Sequence, residues 1–309
     1  PRRRRRGGAR RSSDASPSAP RGRGQFQAPH KTQATDRPQA AYDPAPIPFS
    51  SLSLEPSLLE GVAGRGFEMT TPIQSAVIPI AITGQDVIGC ADTGTGKTVA
   101  FVLPILSRLL KARAENPADT GFTRVLILAP TRELCVQIED DVQGFTYHTD
   151  LTSIAVYGGV EMGAQERALK SGVDIVVATP GRLMDHQRSK AVDFSRVDTF
   201  VLDEADRMMD MGFWPDVRRI AQALPKSGLQ TMLFSATMPE EIMKFAHELA
   251  AHAHYVQVGT TGSPAKTITH RAHIVPNAEK LAYLIAFHPP LLIAAVSMPR
   301  IRSFAVAVS

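Results

Sequence analysis

The chain has 309 residues, of which 43% are hydrophobic and only two are cysteines, and its net charge is +4. The length allows two domains or one large domain with tails, and the apolar fraction is high enough for a sizeable core. Cys90 and Cys135 are far apart and form no CxxC pair. This argues against a disulfide framework or a zinc site, and it indicates a reducing compartment, for which we expect the cytoplasm.

The N-terminal segment carries most of the positive charge. Residues 1–40 contain eleven Arg and Lys and two acidic residues, a net charge of +9, which leaves −5 for the rest of the chain. The segment is poor in apolar residues and rich in Pro, Gly, Ser and Gln, so we predict a disordered basic tail over residues 1–45. Three interpretations remain open: contact with RNA phosphates, an organelle transit peptide, or an inert solubilising tail.

After the tail, the hydrophobic pattern predicts alternating strands and helices. A loop leads into a short amphipathic helix with Pro56 near its start, and short apolar runs then alternate with helical stretches from Gly66 onward. This alternation predicts an α/β fold, with a parallel β-sheet covered by helices on both faces and ligands outside the carboxyl ends of the strands. The predicted strands are 87–89, 125–129, 152–156, 174–178, 199–202 and 230–234, and the clearest predicted helices are 99–111, 133–145 and 240–251.

A glycine-rich turn follows the first predicted strand directly, and Lys97 and Thr98 open the next helix. A strand, a glycine-rich turn and a helix N-terminus form a phosphate-binding loop. We expect Lys97 to be exposed and to reach the β- and γ-phosphates, and the Thr98 hydroxyl to ligate Mg²⁺. Alone, the loop indicates ATP or GTP, or a strand–helix turn that carries a lysine by chance. The predicted nucleotide-binding residues of the loop are Ala91 (where Gly is usual), Asp92, Thr93, Gly94, Thr95, Gly96, Lys97 and Thr98.

Two further polar turns follow predicted strands. The sequence Asp203-Glu204-Ala205-Asp206 places a carboxylate at the end of a buried strand, where it suits Mg²⁺, and a second acid that could deprotonate water. The alternative is an acidic helix N-terminus. Ser235 and Thr237 follow the strand 230–234, and their hydroxyls could bond to the acidic residues or cap the next helix.

Three remaining turns place backbone N–H groups, a hydroxyl or an arginine at a predicted helix N-terminus. Helix N-termini of this kind attract phosphates without reading sequence. Taken individually, ordinary turn and capping chemistry is the alternative. The turns are residues 130–134, 158–159 and 179–182.

In their order and content, these motifs resemble the first half of a DEAD-box ATP-dependent RNA helicase, whose fold is a RecA-like P-loop domain. Upstream, Gly66-Phe67 and the stretch from Thr71 to Gln74, with Phe49 lying 25 residues before Gln74, are similar to the Q motif of that family. The resemblance covers residues 49–285 and assigns residues 46–258 to the RecA-like domain. The stretch 207–213 resembles the bacterial members.

The resemblance implies a role for each matching residue. Gln74 would read the adenine edge and Phe49 would stack on the ring, with Phe67 and Thr71 in the same ATP site. Asp203 would bind the metal through water and Glu204 would be the general base. The other catalytic residues would be Lys97 for the phosphates and Ser235 and Thr237 for coupling nucleotide state to RNA, and the RNA backbone contacts would be Pro130, Thr131, Arg132, Gly159, Thr179 and Arg182.

The sequence departs from the family at its C-terminal end. The family uses two RecA-like domains, and the second supplies arginines that stabilise charge on the γ-phosphate. Here residues 259–309 predict a linker and the truncated start of a second domain, because the 45 residues after position 264 are too few for a complete one. The apolar stretch 281–298 is interrupted by His288-Pro289-Pro290, so we expect no membrane span.

Three functions remain open on the sequence. The first is the ATP-binding half of an RNA helicase, acting as a monomer with ATP, Mg²⁺ and RNA. The second is an ATP- and RNA-binding module with almost no turnover, because half of each binding site would be missing. The third is a P-loop ATPase that acts on DNA or protein, against which the Gln74 motif and the Asp203–Asp206 spelling weigh.

Overall fold

The computed structural model of the chain describes residues 45–259, together with Pro276 and Glu279. Three segments discussed above lie outside these residues. They are the predicted basic tail (apart from Ala45), the predicted linker and second-domain stretch (apart from Gly259, Pro276 and Glu279), and the apolar stretch 281–298. None of the described helices is both long enough and apolar enough to span a bilayer.

Strands and helices alternate along the described residues as the hydrophobic pattern predicts. A short 3₁₀ helix at Phe49–Ser51 comes first, and α1 and α2 precede the first strand. The strands are β1 (Val87–Cys90), β2 (Val125–Leu128), β3 (Ser153–Val156), β4 (Ile175–Ala178), β5 (Thr199–Leu202), β6 (Gln230–Ser235) and β7 (His254–Gln257). The helices are α1 (Pro56–Gly64), α2 (Pro72–Ala81), α3 (Lys97–Glu115), α4 (Arg132–Phe145), α5 (Met162–Ser171), α6 (Pro180–Arg188), α7 (Ala205–Asp210), α8 (Trp214–Ala223) and α9 (Glu240–Leu249).

The seven strands form one sheet in the order β3-β4-β2-β5-β6-β1-β7, and every pairing is parallel. Successive strand residues point to opposite faces, so Val87 and Val201 belong to one hydrophobic core while Ile88 and Phe200 belong to the other. Helices α1 to α4 contribute to the first core and α5 to α9 to the second. The predicted parallel sheet with helices on both faces is therefore confirmed.

Two features of the fold differ from the sequence-based prediction. Strand β7 was not predicted, because polar residues flank Tyr255 and Val256 and leave no apolar run of greater length. It pairs with β1 at the edge of the sheet, and Val258 N–H donates to Cys90 O at 2.9 Å. Helix α3 begins at Lys97 rather than Val99 and extends to Glu115, so the lysine of the loop already belongs to the first helical turn.

Candidate nucleotide and nucleic-acid site

All the polar turns lie at one edge of the sheet, because the carboxyl ends of parallel strands coincide. The phosphate-binding loop follows β1, the acidic turn follows β5, and Ser235 ends β6. These three strands are neighbours in the order β5-β6-β1. The turns predicted to contact RNA follow β2, β3 and β4, which are neighbours on the other side of β5. The sheet therefore gathers a nucleotide half and a nucleic-acid half along one edge.

The phosphate-binding loop is held in a compact form by its own backbone. Gly94 and Gly96 have φ of 78° and 89°, the left-handed region that glycine adopts without steric cost. Lys97 is only 7% exposed, and its Nζ donates to Ala91 O at 2.7 Å and to Asp92 O at 3.4 Å. The prediction that Lys97 is exposed was wrong, because the ammonium is turned inward onto loop carbonyls that satisfy its hydrogen-bonding needs.

The start of helix α2 packs directly on this loop through Gln74. The Gln74 side chain is 2% exposed; its Oε1 accepts from Thr71 N–H at 2.8 Å and its Nε2 donates to Gly96 O at 3.1 Å. The contact is close, since a Cβ added at Gly96 would lie 2.4 Å from Gln74 Nε2. An amide carries two donor hydrogens and two acceptor lone pairs, so these two contacts use one donor and one acceptor of the buried Gln74 side chain.

Phe49 belongs to the hydrophobic core. It is 2% exposed, and its ring meets Phe67 edge-on with 6.0 Å between ring centres, while Phe67 in turn contacts Phe145 at 6.0 Å. A ring that stacks on a base needs an open face. The predicted stacking of Phe49 on adenine therefore does not fit the structure, whereas Phe67 is only partly buried beside it.

The acidic turn after β5 combines a buried carboxylate with a strained backbone. Asp203 is 3% exposed, and burial raises its pKa to about 6, although the nearby Lys97 ammonium acts in the opposite direction. Glu204 has φ of 53°, which a residue with a Cβ rarely adopts. Its N–H donates to Asp203 Oδ1 at 3.0 Å and its carboxylate pairs with Arg207 at 3.1 Å. Strain of this kind is concentrated at functional sites.

Asp206 connects the acidic turn to the end of β6. Its N–H donates to Ser235 Oγ at 3.0 Å, and its Oδ2 accepts from the N–H and the Oγ1 of Thr237 at 2.9 and 2.8 Å. Burial by itself raises the pKa of Asp206, but hydrogen bonds from Ser235, Thr237 and Arg207 hold the pKa below its usual value. From the sequence, Asp206 was placed in the acidic turn without a role, although its position in the first turn of α7 was the available signal.

The side chain of Arg132, in the turn after β2, reaches the turn after β3. Thr131 caps α4, since its Oγ1 accepts from Leu134 N–H at 3.2 Å. The Arg132 guanidinium is more than half exposed and lies 5.9 Å from the Tyr157 ring centre, and a Cβ added at Gly159 would lie 3.9 Å from Arg132 Nη1. An exposed guanidinium beside a glycine turn suits a phosphate. Pro130 is buried, so its predicted contact with RNA does not fit its position.

The turn after β4 is tied to the turn after β3. Thr179 precedes α6, and its N–H donates to Val156 O at 2.9 Å. Arg182 lies in the first turn of α6 and donates from both Nη atoms to Val160 O at 3.1 Å. The structure therefore brings Thr131, Arg132, Gly159, Thr179 and Arg182 to neighbouring turns of the same sheet edge.

The fold and the loop after β1 define a P-loop nucleotide-binding domain. Residues 71–245 match the model of the DEAD/DEAH box helicase family, and the chain belongs to that family. The matched segment runs from Thr71, which directly precedes α2, into α9, so it includes every turn of the sheet edge described above.

Among curated proteins, the chain is similar to the DEAD-box ATP-dependent RNA helicase 52A of rice (Oryza sativa), 40% identical over 249 residues, covering 77% of this chain and 41% of the relative. It is also similar to the ATP-dependent RNA helicase RhlB of Xanthomonas axonopodis pv. citri, 40% identical over 241 residues, 77% of this chain and 42% of the relative. The chain thus spans less than half the length of these relatives. Plant and bacterial relatives match equally well, so the comparison does not favour the predicted bacterial affinity.

A solved structure shows the same fold. The crystal structure of a DEAD box protein from the hyperthermophile Methanococcus jannaschii aligns with a TM-score of 0.63 at 31% sequence identity, covering 78% of this chain and 63% of that chain.

Proposed function

We propose that this chain provides the ATP-binding half of an ATP-dependent RNA helicase, in which RNA-stimulated ATP hydrolysis is coupled to local unwinding of RNA duplexes. One observation carries the proposal. The loop around Lys97, the acidic pair Asp203 and Glu204, and the turns at Arg132 and Arg182 occupy adjacent strand ends of one sheet edge. A nucleotide bound at one half of this edge lies next to RNA bound at the other.

Mg²⁺ fits this site as a companion of the ATP phosphates. Asp203 is a buried carboxylate whose raised pKa reflects an unfavourable environment for its charge, and a cation would relieve that cost. Across the described residues, no group of three or more His, Cys, Asp or Glu could hold a metal by itself. Mg²⁺ commonly binds through one or two protein oxygens plus phosphates and water, so we assign the Asp203 carboxylate and the Thr98 hydroxyl as the protein groups that would hold it. The ion would neutralise charge on the phosphates.

The side chains of the nucleotide half divide the remaining work. The Lys97 ammonium would exchange its two loop carbonyls for phosphate oxygens, since hydrogen bonds between charged groups are stronger. Glu204 would take the proton from the attacking water, and Arg207 pairs with its carboxylate at 3.1 Å. A change in the position of this turn would be transmitted to the end of β6 through the hydrogen bonds of Asp206 with Ser235 and Thr237.

Recognition of RNA would rest on its backbone. Arg132 offers an exposed guanidinium, Gly159 an open turn and Thr179 a helix N-terminus, all of which suit phosphate oxygens. Such contacts fix the strand in place and read little of its base sequence, so we propose low sequence specificity.

A second candidate is a module that binds ATP and RNA with little turnover. It is favoured by one observation: the described residues form one sheet, while the curated relatives are more than twice as long as the matched region. A charge-stabilising arginine supplied by another domain is worth about 10³–10⁵ in rate.

Steady-state ATP hydrolysis, measured with and without single-stranded RNA, tests both candidates. For the helicase proposal we expect RNA-stimulated hydrolysis once the chain is joined to the C-terminal part of a curated relative, and weak hydrolysis from the chain alone. Hydrolysis by the joined protein that ignores RNA would contradict the helicase proposal. Fast RNA-stimulated turnover by the chain alone would contradict the second candidate.

A further inference from the structure

Gln165 on α5 makes three hydrogen bonds that join separate parts of the nucleic-acid half. Its side chain is 6% exposed. The Oε1 atom accepts from Arg182 Nη1 at 3.3 Å and lies 3.1 Å from His186 Nε2, while Nε2 donates to Tyr157 O at 3.2 Å. Tyr157 immediately follows β3, whereas Arg182 and His186 belong to α6 after β4. One buried amide thus bridges Tyr157 to two side chains of α6, Arg182 and His186, which lie 25 and 29 residues further along the chain.

The Gln165 amide allows only one arrangement of donors and acceptors with Tyr157, Arg182 and His186. Because Nε2 donates to the Tyr157 carbonyl, Oε1 is the acceptor for both α6 side chains. Since an amide oxygen only accepts, His186 Nε2 carries the ring hydrogen. His186 is fully buried, and its Nδ1 has no hydrogen-bond partner among the described residues. Burial, followed by the charge of Arg182, lowers the pKa of His186, which keeps the ring neutral.

The bridge fixes the direction of the Arg182 guanidinium. Val160 O and Gln165 Oε1 together take three of its hydrogen bonds. A guanidinium has five N–H donors in a rigid fork, so within the described part of the chain two donors remain for a phosphate. The same contacts hold the 158–160 turn at a set distance from the start of α6.

We propose that Gln165 is a positioning residue for RNA binding, which holds the 158–160 turn and the 179–182 turn in a fixed relative position for contact with backbone phosphates. The inference rests on the proposed RNA-binding function. Gln165 itself touches no phosphate in this role and acts through Arg182 and through the backbone after β3. The substitution of Gln165 by an apolar residue of similar volume should therefore weaken RNA binding while leaving the ATP half of the edge unchanged.

The test is a double-mutant cycle on the full chain, with binding of a fluorescent single-stranded RNA followed by anisotropy. The variants are Gln165→Met, Arg182→Ala and the pair, with Lys170→Ala as a control on the same helix, because Lys170 is exposed and pairs only with Glu166 among the described residues. Gln165→Asn is the second variant if the Met variant does not fold, since it keeps the amide but is one methylene too short to bridge. Binding of a fluorescent ATP analogue and thermal unfolding are measured alongside.

We expect Gln165→Met to weaken RNA binding about 3- to 10-fold, the range for having to order one long side chain, here Arg182, on binding. In the Arg182→Ala background the same change should cost less than about 2-fold, because residues that act through one another are not additive. ATP-analogue binding should stay within about 2-fold of wild type in every variant. Unchanged RNA affinity, or equal losses in both backgrounds, would overturn the positioning role while wild-type RNA binding upholds the proposed function. A wild-type chain that binds no RNA would overturn both.

Discussion

Thr237 donates two hydrogen bonds to one oxygen of Asp206, from its backbone N–H at 2.9 Å and from its hydroxyl at 2.8 Å. Asp206 follows β5 and Thr237 follows β6, so this pair links the ends of two neighbouring strands. Glu204, the proposed general base, lies two residues before Asp206. A shift of the acidic turn on nucleotide binding would therefore also move the end of β6.

Replacing the Thr237 hydroxyl should reduce the coupling between ATP and RNA. Thr237→Ala removes the hydroxyl bond and keeps the backbone bond, whereas Thr237→Ser keeps both and is the matched control. Allosteric coupling free energies are about 1–3 kcal/mol, so we expect the gain in RNA affinity caused by an ATP analogue to fall several-fold in the Ala variant. Anisotropy titrations with and without the analogue measure this. Equal coupling in wild type and Thr237→Ala would remove Thr237 from the pathway.

Lys97→Ala should abolish most ATP binding and leave the sheet folded. Among the described residues, the Lys97 ammonium donates hydrogen bonds only to the Ala91 and Asp92 carbonyls of its own loop. Its loss also removes the positive charge that favours ionisation of the buried Asp203, but that carboxyl can take up a proton instead of remaining as an unpaired charge, so the sheet should stay folded. Charge-assisted hydrogen bonds to phosphate are worth about 1.5–3 kcal/mol each, so affinity should fall by at least about 10-fold. Lys111→Ala, an exposed position on the same helix, is the control. Calorimetric titration with ATP checks the outcome, and equal affinities for the two variants would exclude Lys97 from the site.

Glu204→Gln should keep ATP binding and lose hydrolysis. The amide retains the shape and part of the contact to Arg207 but accepts no proton at neutral pH, and general-base catalysis contributes about 10²–10⁴ in rate. Single-turnover hydrolysis in the protein joined to a second domain gives the rate, with Glu115→Gln on the surface of α3 as the control. If Glu204→Gln hydrolyses ATP at the wild-type rate, another group is the base.

The sequence predicted the strands of the functional edge because each is an apolar run followed directly by a polar turn. Strands β1, β2, β4, β5 and β6 are buried along their whole length, which is why their hydrophobic signal was continuous. Their order in the sheet was not predictable in the same way. The insertion of β6 between β5 and β1 joins segments about 140 residues apart, and it depends on packing against helices rather than on local pattern.

The sequence also did not predict the environments of individual side chains. The position of Phe49 matched a ligand-stacking pattern, but the ring fills the core against Phe67. No sequence motif indicated the bridge made by Gln165, since an isolated glutamine on a polar helix is expected to face solvent. In both cases the environment of the side chain depends on which residue, distant in sequence, packs against it. Composition and periodicity do not contain that information.

Two glycines of helix α1 should respond in opposite directions to alanine. A Cβ added at Gly61 would lie 2.8 Å from Phe145 O, whereas nothing lies within 4 Å of a Cβ added at Gly64. Gly61→Ala should lower the free energy of unfolding by about 1–3 kcal/mol, because the backbone of α4 leaves no room. Gly64→Ala should raise it by about 0.5–1 kcal/mol through helix propensity. Urea unfolding measures both, and stabilisation by Gly61→Ala would contradict the close approach of α1 and α4.

Asp86, just before β1, should make stability depend on pH in a defined direction. Burial raises the pKa of its carboxyl, opposed by the hydrogen bond from Thr231 N–H at 2.6 Å and by the nearby His252 and His254. Because the pKa in the folded state lies above the unfolded value near 3.8, the contribution of Asp86 to stability is complete below about pH 3.8 and is lost as pH rises through the folded pKa. Asn keeps the acceptor for Thr231 and carries no charge.

Asp86→Asn should therefore be more stable than wild type at pH 8, and the difference should shrink as the pH is lowered toward 4. Urea unfolding midpoints at pH 8, 6 and 4 give the comparison, with the exposed Asp210→Asn as the control for a change of net charge alone. The control should show no pH-dependent gain of this kind, because its carboxylate is already in water. A variant that loses stability at pH 8 relative to wild type would show that the hydrogen bond from Thr231 N–H to the charged Asp86 carboxylate outweighs the cost of burying that charge.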